Sequence, residues 1–133
     1  MPNQAQNPND KKIYDLEERT AKFGEDIIEF VKSFPDTPIN RPLISQIVRS
    51  GTSVGANYME ADGAESKKDF IHKLGICRKE SKETKYWLRI TGTTVEELKA
   101  EARILWKEAQ ELNLIFSASI LTAKNGKETA NDT

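Results

Sequence analysis

Seven positions in the last third of the chain, Leu98, Ala102, Leu105, Ala109, Leu112, Phe116 and Ser119, are spaced alternately by four and three residues without a slip over three heptads. That rhythm returns each side chain to one face of an α-helix and would scatter the same residues over both faces of a strand. Three upstream segments carry it too. Leu16, Thr20, Phe23, Ile27, Phe30 and Phe34 step by four and three in the first. In the second, the apolar face uses Leu43, Ile47, Val48, Gly51, Val54, Gly55, Tyr58 and Met59. The third follows Phe70, Leu74, Cys77, Ser81, Thr84 and Leu88, and its face is only half apolar.

The breaks between these segments are short. Pro35-Asp36-Thr37-Pro38 ends the first helix, because proline cannot continue the hydrogen-bond ladder. Asn40 is the expected N-cap of the second, with Pro42 tolerated in its first turn. Asp62-Gly63 stops that helix, and Ser66 with Asp69 three residues on resembles a capping box for the third. Thr91-Gly92-Thr93 is the expected break before a fourth helix that starts at Thr93 or Thr94 and ends at Asn125-Gly126. Gly51 and Gly55 are poor helix formers inside a periodic segment, which implies close backbone contact with a neighbouring helix. Four helices with short connections and no strand pattern predict an all-α, antiparallel up-down-up-down four-helix bundle over residues 13–125. Residues 1–12 and 126–133, almost without apolar content, are expected to be a disordered arm and tail.

Composition removes several function classes. One cysteine, Cys77, cannot form an internal disulfide and suits a reducing cytoplasm. The N-terminus lacks the basic-then-apolar pattern of a signal peptide, and no apolar stretch approaches a bilayer span, so a cytoplasmic protein with no membrane partner is expected. A di-iron bundle needs two Glu-x-x-His pairs on different helices; the chain has one histidine, His72, with no glutamate three positions before it. His72 and Cys77, five apart, fall on different helical faces and do not form a zinc site. Ser53 has no triad around it, and GTSVGA lacks the Gly-Lys-Ser/Thr ending that grips phosphate. No metal, no cofactor and no enzymatic activity are expected. Arg49, Ser53, Ala56, Asn57 and Glu60 share about a 100° arc of the second helix, read as a structural polar network in which Arg49 and Glu60 meet partners across helices.

Net charge is −1, which conceals segregation along the chain. Residues 67–89 hold eight basic and three acidic side chains, net +5. Residues 1–66 hold seven against eleven, net −4, and residues 90–133 five against seven, net −2. At about 100° per residue, Lys67, Arg78, Lys82, Lys85 and Arg89 fall within roughly 60° of one another. Two readings of this stripe stand. It is a solvated face offset by nearby glutamates, Glu80 and Glu83 among them, or it is a phosphate-binding surface for RNA or DNA that cyclic symmetry would repeat as a basic ring. The end of the fourth helix also carries more apolar residues than one core stripe needs: Leu112, Leu114, Ile115, Phe116, Ile120 and Leu121. With Ile76 and Trp87 on the third helix opposite its seam, they suggest a subunit interface.

The segment QIVRSGTSVGANYMEADGAESKKDFIHKLGICRKESKETKYWLRI, with the upstream DLEERTAKF, closely resembles the bacterial four-helix-bundle proteins encoded by intervening sequences in large-subunit ribosomal RNA genes. The resemblance runs from about Tyr14 to Ile90 and more loosely through the fourth helix. It places Arg49, Ser53, Asn57 and Glu60 on the family's second-helix motif, and it implies a homo-oligomer, often a pentameric ring. The chain is also similar to an accessory protein of diversity-generating retroelements, thought to bind nucleic acid through a basic ring surface. The expected function is therefore a non-enzymatic homo-oligomer that binds nucleic acid through the third-helix stripe, with a structural or protein-interaction scaffold as the alternative.

Overall fold

The computed structural model describes residues 15–132, with side chains described through residue 126. The expected arm at residues 1–12 lies outside the described residues. The chain forms four α-helices: α1 (Leu16–Val31), α2 (Asn40–Asp62), α3 (Lys67–Thr94) and α4 (Lys99–Asp132), with a 3-10 turn at Glu96–Leu98 before α4. Among the described residues there is no strand. Each helix packs on its sequence neighbours, α3 most extensively on α2 and α4, and the diagonal pairs do not touch appreciably. This is the antiparallel up-down-up-down bundle that short connections require. The ring closes through a thinner contact between α1 and α4.

The core follows the three-four rhythm. All six α1-segment positions from Leu16 to Phe34 are buried, and Phe23, Ile27, Ile47, Leu74, Leu88, Leu112 and Phe116 are among the largest side chains fully enclosed. Burying each such side chain is worth about 1.5–3 kcal/mol. Phe30 and Phe34 meet edge-to-face with ring centroids 5.1 Å apart. The polar members of the seam are satisfied within their own helices. Thr20 Oγ1 donates to the Leu16 carbonyl at 2.7 Å, Thr84 Oγ1 to Glu80 at 2.7 Å and Ser81 Oγ to Arg78 at 2.9 Å. This is how α3 buries a half-polar face without orphaned hydroxyls.

Between α1 and α2 the backbones approach closely, as Gly51 and Gly55 lead one to expect. A Cβ at Gly51 would stand 2.8 Å from Ile27 Cγ1, and one at Gly55 would stand 3.1 Å from the Thr20 carbonyl oxygen. Two other seam assignments change. Met59 is exposed, and Ser119 is only half-buried while Ile120 takes the buried position beside it.

Helix ends differ from expectation at three places. Asn40 is the first residue of α2 and not its cap: its Nδ2 donates to the Pro35 carbonyl at 2.9 Å, and its own N–H donates to Thr37 Oγ1 at 3.0 Å. Thr91-Gly92-Thr93 does not break α3, which continues to Thr94; the chain turns at Val95, φ −119° and ψ 88°. Asn125-Gly126 does not stop α4, whose backbone stays helical to Asp132. No glycine among the described residues has positive φ. Without the left-handed conformation that makes glycine a C-cap, Gly92 and Gly126 are only weak helix residues, costing about 1 kcal/mol each. Ser66 does cap α3, accepting from the Asp69 N–H at 3.0 Å, and Gly63 closes α2 with its N–H on the Met59 carbonyl at 3.2 Å.

Candidate nucleic-acid interface

Helix α3 has two flanks of opposite character on either side of its buried seam. One flank faces α2. There Arg49 reaches across and its guanidinium meets two carboxylates, Glu80 through Nη1 at 3.2 Å and Glu83 through Nη2. Glu80 is nearly buried, at 8% exposure, so Arg49 supplies the partner that a charge in that position needs. Trp87 Nε1 also donates to Glu83 at 3.0 Å. That bond is the largest influence holding the Glu83 carboxyl below the usual range, followed by Arg49 working against partial desolvation. Desolvation pulls the Arg49 pKa down, but the two glutamates outweigh it and the net shift is upward.

The other residues of the second-helix motif extend this arrangement. Ser53 Oγ donates to the Arg49 carbonyl at 2.6 Å, and Asn57 Nδ2 donates to the Ser53 carbonyl at 2.9 Å. Glu60 accepts from Lys73 Nζ of α3 at 2.6 Å. Arg49 and Glu60 thus tie α2 to α3 at two heights, while Ser53 and Asn57 bond along their own helix.

The other flank of α3 faces α4 and solvent, and it carries the stripe. Lys67, Arg78, Lys82 and Arg89 are exposed and Lys85 is half-buried. From Lys67 to Arg89 the stripe extends about 33 Å along the helix axis. Lys85 hydrogen-bonds to Gln110 Oε1 and sits 4.9 Å from the Trp106 ring centroid, a cation–π contact. Below it, Asn113 Nδ2 of α4 donates to the Arg78 carbonyl at 2.8 Å, which docks α4 against this flank without touching the Arg78 charge.

Ion pairs hold several cations outside the stripe. Arg19, Lys22, Lys32, Arg41, Arg49 and Lys73 each meet a carboxylate. Among the described residues, none of Lys67, Arg78, Lys82, Lys85 and Arg89 has a carboxylate within ion-pair distance. Glu80 and Glu83, which a solvated-face reading needs as the offset, are turned to Arg49 on the opposite flank.

Sequence reasoning missed the cations of α4 that join this surface. Lys99, Arg103 and Lys107 recur every four residues and so share one face of α4. With Arg89, Leu88, Ala102 and Trp106 they line an open groove of about 510 Å³ between α3 and α4. The four-residue spacing is visible in the sequence, but the net −2 of residues 90–133 hides it. The balancing acids lie elsewhere on α4: Glu108 and Glu111 face α1, where Arg19 bonds both, Nε to Glu108 at 2.8 Å and Nη2 to Glu111 at 2.7 Å. Bonding to Glu108, opposed by desolvation and helped by Glu111, raises the Arg19 pKa above its ordinary value.

Among the described residues no three of His, Cys, Asp and Glu gather to hold a metal ion. Cys77 is buried, with its Sγ 3.6 Å from the Val54 carbonyl, and burial pushes its thiol up to about 12. Nor is any helix of the described residues long and apolar enough to cross a membrane.

The interface residues expected at the end of α4 separate into two sets. Leu112, Phe116 and Ile120 are core, and Ile115 and Trp87 pack against it half-buried. Leu114 and Leu121, one heptad apart, are 57% and 61% exposed, and Ile104 is 68% exposed.

A family model described as 23S rRNA-intervening sequence protein matches residues 12–118. A crystal structure of a protein with unknown function from the S23 ribosomal protein family of Bacteroides thetaiotaomicron is similar over 84% of this chain and 99% of its own, at 32% identity and a TM-score of 0.76. Among curated proteins none matches the chain. Neither description names an enzymatic activity.

Proposed function

The chain belongs to the 23S rRNA-intervening sequence protein family, and from that footing we propose that it is a non-enzymatic, homo-oligomeric cytoplasmic protein, a pentamer, that binds the backbone of RNA or DNA through the basic flank of α3. The observation that carries this reading is that all five stripe cations lie on one flank of α3 with no carboxylate partner among the described residues, while the α3 glutamates Glu80 and Glu83 are held by Arg49 on the other flank. An uncompensated line of like charges is unfavourable by itself and becomes favourable when counterions or phosphates neutralise it. The subunit number rests on the family resemblance, and self-association itself is supported by the exposed Ile104, Leu114 and Leu121.

Contacts of this kind read phosphates and carry no base sequence, so sequence preference should be weak. Binding to labelled RNA and DNA should be tight at about 20 mM salt, where the screening length exceeds about 10 Å. It should fall with a log–log slope of about −0.7 per phosphate for single strands and −0.9 for duplex DNA. Replacing Arg78, Lys82 and Lys85 together with glutamine should preserve helicity and abolish binding to every sequence alike. If wild-type protein retains neither RNA nor DNA at low salt, the protein is a protein-interaction scaffold and this reading is wrong. If the triple variant loses its oligomeric state, the flank belongs to a subunit contact.

A further inference from the structure

We infer that the α3–α4 groove is a subsite for single-stranded nucleic acid, in which one nucleotide's base lies on an apolar floor while the flanking phosphates rest on cationic rims. This rests on the nucleic-acid reading above and names the form of the ligand. The floor is the half-buried Trp106, over which Lys85 lies 4.9 Å from the ring centroid, backed by the nearly inaccessible Leu88 and Ala102. Arg89 stands on the α3 rim, and Lys99, Arg103 and Lys107 stand along α4. No carboxylate lines the groove, and among the described residues none of these four cations is ion-paired.

The combination decides what fits. Cations alone would suit any polyanion, and an apolar floor alone would suit another protein. Apolar floor and unpaired cationic rims together match an unpaired nucleotide, whose base offers a π-face and whose neighbouring phosphates offer charge. A duplex keeps its bases stacked on one another and paired at their edges, so it can touch only the rims. The space supports the same choice. At about 510 Å³ the groove has the size of a small-ligand pocket, and packed helices with axes about 8–10 Å apart leave no room for a double helix to enter. The groove lies at the α3 end that carries Lys85 and Arg89, so a strand entering it continues onto the stripe toward Arg78.

Titration of the full-length protein with four equally labelled ligands tests this: a 20-nucleotide single strand, an abasic strand of the same length, the matching duplex, and inorganic phosphate as the free-anion control. The single strand should bind about tenfold tighter than the abasic strand, since stacking one base on an aromatic side chain contributes about five- to 150-fold. It should also outcompete the duplex, and phosphate at equal charge should not displace it. The chain has two tryptophans, so in Trp87→Phe the remaining emission is that of Trp106. That emission should be quenched by the single strand and not by the abasic one. Lys99→Gln, Arg103→Gln and Lys107→Gln combined should lose about tenfold or more in single-strand affinity while keeping the fold. Equal affinity for all strands, with this variant unaffected and the Arg78, Lys82, Lys85 variant defective, overturns the groove and leaves the α3 reading standing. Failure of every strand to bind overturns both. A groove variant that dissociates into protomers shows that a second copy of the chain fills the groove, and the inference fails.

Discussion

Glu83 is where one side chain serves two helices. It accepts from Trp87 within α3 and from Arg49 of α2, and both hold its carboxyl below the ordinary value. A carboxyl depressed in the folded state contributes stability that is complete above the unfolded-state pKa, about 4.3 for glutamate, and is lost as pH falls through the lower folded value. Urea melts of wild-type protein and Glu83→Gln should therefore differ at pH 7, and the gap should narrow as the pH is taken below about 4.3. A gap that stays constant through that fall would mean that Glu83 acts by packing alone. The sequence displays Arg49 as a member of a polar arc on α2. It does not display which carboxylate Arg49 meets, because Glu80 and Glu83 lie on another helix and only the depth at which α2 and α3 pack brings them into reach.

At the scale of the helices, apolar spacing was enough to place all four, since a seam repeated over three or more turns admits no other period. Their ends were less legible. Glycine in a sequence can be a terminator, a place of close approach or a tolerated weakness, and only φ and the neighbouring helix separate the three. Gly51 and Gly92 make the contrast testable. Alanine at Gly51 would press on Ile27, which is fully buried, so overpacking of about 1–3 kcal/mol outweighs a helix-propensity gain of at most about 1 kcal/mol. Alanine at Gly92 would meet only Lys99 Cγ at 3.9 Å, an ordinary contact, and should stabilise by about 0.5–1 kcal/mol. Thermal or urea denaturation of the two variants should move in opposite directions. A gain from Gly51→Ala, or a loss from Gly92→Ala, would show that the helix contacts are looser or tighter than described. The basic groove was illegible for a related reason: Lys99, Arg103 and Lys107 become one surface with Arg89 only when α4 lies antiparallel beside α3.

Across the whole molecule, the exposed Ile104, Leu114 and Leu121 lie on a helix whose inner face is already satisfied. Light scattering at tens of micromolar should give a mass near five times the 15.0 kDa of the chain. A mass near 15.0 kDa would leave those residues as isolated surface apolars. The charge division has a further consequence. With a formal charge of −1, the chain is close to an electrical monopole of zero, yet its unpaired cations lie along the α3–α4 side, while Glu108 and Glu111 are bound to Arg19 on the α1 side. The protomer's charge is therefore uneven about the bundle axis, with the stripe cations gathered on one side. A uniform field or a distant polyanion would exert little net pull on such an object but would turn it, so that the molecule meets an anionic surface already facing the right way.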